Sequence, residues 1–146
     1  VSMIYESIRL GGDDRNAESL GAYVAWLVIN HLLDDVLERS AGAGVTRVRL
    51  HDLTGAGFLT TVLHGELQST HLNAAGRAFT EHYLVSGKYR AEYAGCGYRG
   101  EDEWLRFAEV SPLIARAFKQ FREPAPPRGS RLAKIIQFPS RFRKTS

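Results

Sequence analysis

Between Leu20 and Phe121 the chain is built from short apolar stripes, each bounded by residues that start or stop a helix. Within a stripe the apolar residues recur every three or four positions, as Leu20, Val24 and Leu27 do, which is the spacing of one face of an α-helix. Short helices are marginal alone, so they must pack their stripes against each other. The sequence therefore predicts a mainly α fold, a compact bundle of about five to six short helices.

Start and stop signals place the predicted helices along the chain. Thr54 is a good N-cap for one helix, and Gly65 is a natural residue just beyond its end. Ser111 followed by Pro112 predicts the N-cap and first position of a final helix. The glycine-rich residues 40–44 are predicted to end the second helix. The predicted helices cover residues 17–30, 32–39, 55–64, 69–83, 101–109 and 111–122, and a continuation of the fourth past residue 87 stays open.

Two further segments are candidates for the strands of a small sheet. Residues 3–10 alternate imperfectly between apolar and polar side chains, which predicts a short strand or an extended arm. Residues 45–50 (VTRVRL) carry β-branched residues and alternating arginines, which favours a strand that pairs with the first segment. A helical turn leading into the next element is the alternative for residues 45–50. The fold prediction thus leaves room for a small two-stranded arm.

The charges divide the chain into two parts. Residues 1–123 contain 13 basic and 16 acidic side chains, whereas residues 124–146 contain six basic side chains and no acid. Pro124, Pro126 and Pro127 are expected to end the last helix and open a linker. We therefore predict a helical domain over residues 1–122, followed over residues 123–146 by a proline-containing linker and a flexible, basic, amphipathic tail. A net-negative domain is poorly suited to binding phosphates.

The tail carries a pattern of its own. Its large apolar residues alternate with cations, a composition that fits a short linear motif docking into a groove of a protein partner. Docking onto the chain's own domain, disorder, an anionic membrane surface and nucleic acid are the alternatives. The residues predicted to bind a partner are Arg131, Lys134, Ile135, Ile136, Phe138, Arg141, Phe142 and Arg143.

Cysteine content and hydropathy limit the compartment. The single cysteine, Cys96, excludes an internal disulfide and fits a reducing compartment. No N-terminal stretch has the basic start and apolar core of a signal peptide. The longest apolar segment, residues 23–33, is too short to span a bilayer. We therefore expect a cytoplasmic protein.

Aromatic residues on several stripes allow two interpretations. Their rings bury large areas, so the first expectation is a packed aromatic core. The other is a ligand pocket in which the same rings surround a few polar groups. Asn30 and Asn73 lie near helix ends, where an amide side chain commonly caps backbone groups instead. The residues of the candidate pocket are Trp26, Asn30, Asn73, His82 and Trp104.

Signals for catalysis are weak. The five histidines have no zinc-type spacing, and positions at helix ends or in solvent explain them better. Cys96 has no visible partner base, and the acids at residues 101–103 fit the start of a helix. We predict no catalytic residue, metal site or cofactor. An enzyme with a site near Asn73, His82 and Glu101 is kept as an alternative.

Spaced residues along the helices resemble a known family. The pattern comprises Gly21-x-Tyr23-x-Ala25-Trp26-Leu27-x-x-Asn30, Thr54-Gly55-x-x-Phe58-Leu59, Leu72-Asn73-x-x-Gly76-x-x-Phe79 and Glu101-Asp102-x-Trp104, with Tyr83, Tyr89 and Tyr93. It resembles a group of small, functionally uncharacterised bacterial proteins, a domain-of-unknown-function family, over roughly residues 5–121. The chain departs from that group in its short N-terminal loop and in the compact glycine-rich turn after Tyr93.

The resemblance implies no particular reaction. Similar small bacterial families often bind partners or neutralise toxins, an analogy at the level of the class. The function predicted is therefore a non-enzymatic partner-binding protein of the bacterial cytoplasm, of the immunity or antitoxin kind. Its partner is expected to be a protein, with nucleic acid or an anionic membrane as alternatives through the tail.

Overall fold

The computed structural model describes residues 3–7, 14–97, 100 and 102–122. Within these residues the chain forms seven α-helices, one short 3-10 helix and a two-stranded antiparallel sheet. The mainly α fold with a small two-stranded arm is thus confirmed. The elements are β1 (Ile4–Ser7), α1 (Asp14–Ile29), α2 (Asp35–Ser40), α3 (Gly42–Arg49), α4 (Gly55–Thr61), β2 (Glu66–Gln68), the 3-10 helix (Ser69–His71), α5 (Ala74–Tyr83), α6 (Lys88–Ala94) and α7 (Glu103–Arg122).

Helix α1 is the central element. Nearly every side chain from Leu20 to Val28 is buried, so this part of the helix is surrounded by protein on all sides. It contacts α3, α4 and α7. The crossing with α4 is very close, because a Cβ atom on Gly55 would lie only 1.8 Å from the carbonyl oxygen of Gly21. Two glycines therefore set the distance between α1 and α4.

Residues 45–49 are helical and Leu50 is the C-cap of α3, so the strand favoured for residues 45–50 is wrong and the helical alternative is right. Val45 and Val48 are both buried on one face of α3, and their three-residue spacing is that of a helix face, since a strand would place them on opposite faces. Residues 40–44 do not form a long break either. Helix α2 ends at Ser40 and α3 begins at Gly42, with only Ala41 between them.

The strand at the N-terminus pairs with a segment that the sequence did not indicate as a strand. β1 runs antiparallel to β2, with Glu6 opposite Leu67 and Ser7 opposite Glu66, and the pairing is irregular between Ile4 and Glu6. β2 has only three residues, too few for an alternating pattern to stand out. The predicted arm exists, but its second strand comes from residues 66–68.

Helices α5 and α6 are separated by Gly87. Its φ of 91° lies in the left-handed region, which glycine adopts without strain, and it closes the turn between Tyr83 and Lys88. Helix α5 is capped by Asn73, whereas Ser69 and Thr70, at the predicted start of the fourth helix, belong to the 3-10 helix. The predicted fourth helix, residues 69–83, is therefore two elements, and the continuation left open past residue 87 is a separate helix, α6.

Helix α7 is one continuous helix of 20 residues, so the predicted break at Ser111 and Pro112 is wrong. Proline has no N–H to donate to the carbonyl of Ala108, which normally ends or kinks a helix. Here Val110 and Ile114, on either side of Pro112, are both buried and keep one helical register against the core. Pro112 itself lies on the exposed side of the helix.

A connected group of aromatic rings fills the space between α1, α5, α6 and α7. Phe79 lies at its middle, with ring centroids 5.0 Å from Tyr83 and 5.6 Å from Trp26. Tyr23 and Tyr89 continue the group at 5.1 Å from each other. The hydroxyl groups are paired, since Tyr23 bonds Thr80 Oγ1 at 2.9 Å and Tyr89 donates to the carbonyl of Ser19 at 2.6 Å. Most of the aromatic set forms a packed core.

Candidate partner-binding groove

A groove of about 610 Å³ lies where α5, α6 and α7 meet. Its volume falls within the range typical of ligand sites in proteins, roughly 300 to 1,000 Å³. Helix α5 supplies its last residues, α6 its first two turns and α7 its last two turns. The lining residues are His82, Tyr83, Lys88, Ala91, Glu92, Ala117, Gln120 and Phe121.

The local sequence explains why these three helices enclose a groove. Gly87 turns the chain back after α5, so the start of α6 runs beside the end of α5. On α7, Ala117, Gln120 and Phe121 recur at the three- and four-residue spacing of one helix face. Alanines at positions 91 and 117 leave space between two walls that larger side chains would fill.

The floor of the groove is the outer edge of the aromatic core. Tyr83 is buried, and Phe121 is half-buried against Phe79, with ring centroids 5.8 Å apart. The imidazole of His82 stacks on Phe121 at 4.8 Å between centroids. An apolar group that enters the groove would therefore meet aromatic carbon on one side.

A hydroxyl–carboxylate pair crosses the groove. The Tyr83 hydroxyl donates a short hydrogen bond to Oε1 of Glu92. Burial raises the pKa of Tyr83 far above its usual range, and the hydrogen bond and the negative charge of Glu92 raise it further. Tyr83 is therefore a neutral donor at physiological pH, and it orients the Glu92 carboxylate.

Cations lie beside this pair. The ammonium of Lys88 is 3.5 Å from Nε2 of His82 at the rim. Arg116 is exposed on α7 one turn before Gln120, so it lies on the same side of the helix as that lining residue. The rim thus combines two permanent cations with one carboxylate, which already accepts a hydrogen bond.

The five residues of the candidate pocket do not meet in this groove. Only His82 lines it. Trp26 is 2% exposed within the aromatic core. Asn73 precedes α5 and His82 lies near its end, a separation of about 13 Å along the helix axis at the usual rise per residue. Residues nine positions apart on one short helix cannot converge on a small ligand.

Both asparagines have structural partners, as their positions near helix ends indicated. The Asn30 amide donates to the carbonyl of Trp26 at 2.9 Å. Asn73 accepts from the N–H of Gly76 at 2.8 Å and donates to the carbonyl of His31 at 3.1 Å. Asn73 therefore caps α5 and also ties its start to the end of α1.

The N-terminal turn of α7 has structural contacts too. The Trp104 indole stacks on His51, with centroids 3.8 Å apart and planes within 6° of parallel. Glu103 reaches α4, where its Oε2 accepts from the N–H of Ala56 at 3.0 Å. Glu101, the acid in the alternative enzyme site, lies outside the described residues, as do the eight tail residues from Arg131 to Arg143 predicted to bind a partner.

Three of the five histidines occupy left-handed backbone positions just after helices. His31, His51 and His64 have φ values of 61°, 60° and 58°. Histidine is among the few residues other than glycine that enter this region with some frequency. Their place at helix ends agrees with the structural role expected from the sequence. Among the described residues, no group of three or more His, Cys, Asp or Glu side chains could hold a metal ion.

Sequence reasoning missed most of the groove. Lys88, Glu92 and Gln120 were not candidates, because each is an ordinary polar residue on a helix surface. The left-handed Gly87 was the available signal, since a break there predicts that α6 folds back against α5. The wall from α7 could not be predicted without the tertiary packing.

Comparison with known proteins assigns the chain to a family. The profile of a family described as a domain of unknown function (DUF7832) matches residues 11–103, and the chain belongs to this family. The match covers α1 to α6 and the first residue of α7, a narrower span than the resemblance seen in the sequence. No curated protein and no solved structure is significantly similar. The α5 and α6 walls of the groove thus lie within the family match, and the α7 wall lies beyond it.

Proposed function

Starting from membership in a family without an assigned activity, we propose that this chain is a non-enzymatic protein that binds a protein partner in the bacterial cytoplasm. The observation that carries the proposal is the groove between α5, α6 and α7, with its aromatic floor and charged rim. This combination of an apolar centre and a polar edge is typical of protein recognition surfaces.

The polar residues outside the groove support the same function. Asn30 and Asn73 of the candidate pocket, and Glu103 from the acids at residues 101–103, are engaged in backbone hydrogen bonds of the fold. Groups held in this way stabilise helix ends and orient helices. No helix among the described residues combines the length and apolar character that crossing a bilayer requires.

The tail extends the proposed binding surface. Arg122, the last described residue of α7, directly follows Phe121 of the groove, so the predicted linker and tail are joined to the chain beside the site. Its cations and its apolar residues Ile135, Ile136 and Phe138 would then act on the same partner as the groove. An immunity or antitoxin protein works in this way, by holding a toxin in a complex, and this class is part of the proposal.

The proposal is tested by site-specific photo-crosslinking of the full-length chain in its native host. A crosslinking amino acid at Gln120 places the probe in the groove, and the same amino acid at Arg39 on α2 serves as the control. We expect one predominant protein adduct from position 120 and none of that mass from position 39. Replacing Arg131, Lys134, Arg141 and Arg143 by glutamine should lower the adduct yield.

Two results would contradict the proposed function. Equal adducts at both positions, or a host in which position 120 crosslinks to no protein, contradict partner binding through this groove. A toxin gene beside the gene for this chain, together with crosslinking to its product, would identify the immunity or antitoxin class.

A further inference from the structure

The charges of the chain are strongly polarised along its sequence. Residues 1–115 carry 10 basic and 15 acidic side chains, whereas residues 116–146 carry nine basic side chains and a single acid, Glu123. The change of sign falls within the last two turns of α7, the turns that form one wall of the groove. The groove therefore lies where the acidic body meets the basic end of the chain.

The exposed cations of α7 belong to this end. Arg116, Lys119 and Arg122 are exposed on its last two turns, and these turns contain no acid. Lys88 adds a cation from the opposite wall, on α6. A surface with several cations and little compensating charge attracts negative groups and speeds their approach.

Inside the groove the chemistry is different. Phe121, Tyr83 and the two alanines offer apolar surface, and Glu92 contributes a negative charge that the Tyr83 hydroxyl holds in place. A carboxylate within the groove repels phosphate groups that would enter it. The interior thus favours an apolar side chain, while the rim favours carboxylates.

We propose that the groove binds an acidic segment of a protein partner, which inserts an apolar side chain against Phe121 and places carboxylates beside Lys88 and Arg116. This inference rests on the proposed function and adds the chemistry of the partner. Nucleic acid is disfavoured, because a chain of phosphates would gain from the rim but would gain nothing from the alanine-lined space beside Glu92.

The inference is tested with short random peptides displayed on phage and selected against the full-length chain at low salt. We expect the selected peptides to contain several Asp or Glu residues around one aromatic or aliphatic residue. The tightest of them is then synthesised with a fluorescent label, and its affinity is measured by anisotropy. Replacing one of its acids by the matching amide should weaken binding roughly fivefold, and added salt should weaken it further.

Variants of the chain test whether the peptide binds in the groove. Lys88→Glu reverses a rim charge and should weaken the peptide by more than tenfold, because attraction becomes repulsion. Ala91→Trp fills the groove from the exposed side of α6 and should abolish binding, and Gln120→Trp does the same from α7. Arg39→Glu reverses an exposed cation on α2 and should leave the affinity unchanged. Circular dichroism and the thermal midpoint show that each variant is folded.

Three results would overturn the inference. The first is selection of neutral or basic peptides. The second is an acidic peptide whose affinity is the same for Lys88→Glu, Ala91→Trp and Arg39→Glu. The third is a labelled polyuridine RNA that displaces the peptide and binds Ala91→Trp as well as the unchanged chain, which would assign the surface to nucleic acid. If crosslinking at Gln120 captures a partner whose contacting segment is not acidic, this inference fails while the proposed function stands.

Discussion

Arg49 at the end of α3 donates a hydrogen bond from Nε to the carbonyl oxygen of Val28 in α1, at 3.1 Å. Its Nη2 lies 3.0 Å from Oε1 of Glu38 and 2.8 Å from Nδ1 of His31. One side chain thus joins the ends of α1, α2 and α3. With 27% of the side chain exposed, these bonds are only partly screened by water.

Replacing Arg49 by methionine should destabilise the fold. The change keeps much of the apolar volume but removes the donors to Val28 and Glu38, so we expect the free energy of unfolding to fall by about 1.5 to 3 kcal/mol. Arg47→Met is the matched control, because Arg47 pairs with Asp52 at 3.0 Å but is 53% exposed. The control should lose no more than about 1 kcal/mol. If urea unfolding gave the same loss of free energy of unfolding for Arg49→Met and Arg47→Met, the contacts of Arg49 would add no more stability than an exposed ion pair.

The crossing of α1 and α4 gives a second prediction. Gly55→Ala would place a methyl group 1.8 Å from the carbonyl oxygen of Gly21, so the helices would have to separate. We expect a loss of about 3 kcal/mol or more in the free energy of unfolding. Gly42→Ala, where nothing lies within 4 Å of the added atom, should be neutral or stabilise α3 by up to about 1 kcal/mol. A thermal midpoint for Gly55→Ala that matches Gly42→Ala would contradict the close crossing.

Alkaline pH should destabilise the protein, because several of its tyrosines have a higher pKa in the folded state than in the unfolded chain. Burial, followed by the hydrogen bond to Glu81, raises the pKa of Tyr5 from 10.0 to about 12, and burial raises the pKa of Tyr83 and Tyr89 still more. Above pH 10 the unfolded chain loses these protons while the folded chain keeps them, so stability falls as pH rises. Urea midpoints measured up to about pH 12 should decrease steadily, with tyrosinate absorbance appearing together with unfolding.

Tyr89→Phe is the informative variant for this pH dependence. It loses the hydrogen bond to the Ser19 carbonyl, which should cost about 1 kcal/mol at neutral pH. It also removes one buried hydroxyl that the folded state keeps protonated, so its stability should fall less steeply above pH 10. If the stability of Tyr89→Phe fell with pH as steeply as that of the unchanged chain, Tyr89 would not contribute to the pH dependence.

The protonation of Glu103 should affect the stability of the fold at acidic pH. Burial, the largest influence, raises its pKa above the ordinary 4.5, although the Ala56 N–H and Arg106 oppose this. Its contribution to stability is then greatest below pH 4.5 and is lost as pH rises through the raised pKa. Glu103→Gln keeps an oxygen for the Ala56 N–H and removes the charge. At neutral pH the variant should be at least as stable as the unchanged chain.

The variant to compare with Glu103→Gln is one that removes the hydrogen-bond acceptor as well as the charge. Glu103→Ala leaves the N–H of Ala56 without its 3.0 Å partner and should cost roughly 1 kcal/mol at neutral pH. Urea titrations of both variants at neutral and acidic pH separate the charge from the hydrogen bond. If glutamine and alanine give the same loss, the hydrogen bond to α4 has no energetic role.

The sequence predicted the helices whose start and stop signals are local. The Thr54 hydroxyl accepts from the N–H of Gly57 at 3.0 Å, as expected. Gly65 has a positive φ, but it lies beyond the C-cap Val62 and does not directly follow the end of α4 as predicted. The exact ends were less predictable. Helix α1 already includes residues 14–16, before the predicted start at residue 17, and α4 stops at Thr61 rather than at residue 64.

The errors arose where tertiary contacts override local preference. Pro112 signals a helix start, yet the buried Val110 and Ile114 carry α7 through it. Residue type and the alternating arginines favoured a strand for residues 45–50, but α3 is a helix that buries Val45 and Val48 and packs on α1. The groove was not predictable for the same reason, since Lys88 and Gln120 are distant in sequence and meet only when α6 and α7 pack together.

Pro112 has a consequence for how the groove could change width. Helix α7 lacks one backbone hydrogen bond there, because Pro112 cannot donate to Ala108, and bending is least costly at such a point. The part before Pro112 is held by the stack of Trp104 on His51 and by the Glu103 cap of α4. The part after it carries Ala117, Gln120 and Phe121. Ile114 and Phe118 hold this second part against the core, so a bend at Pro112 that changed the width of the groove would first have to separate Phe118 from Trp26 and Phe79.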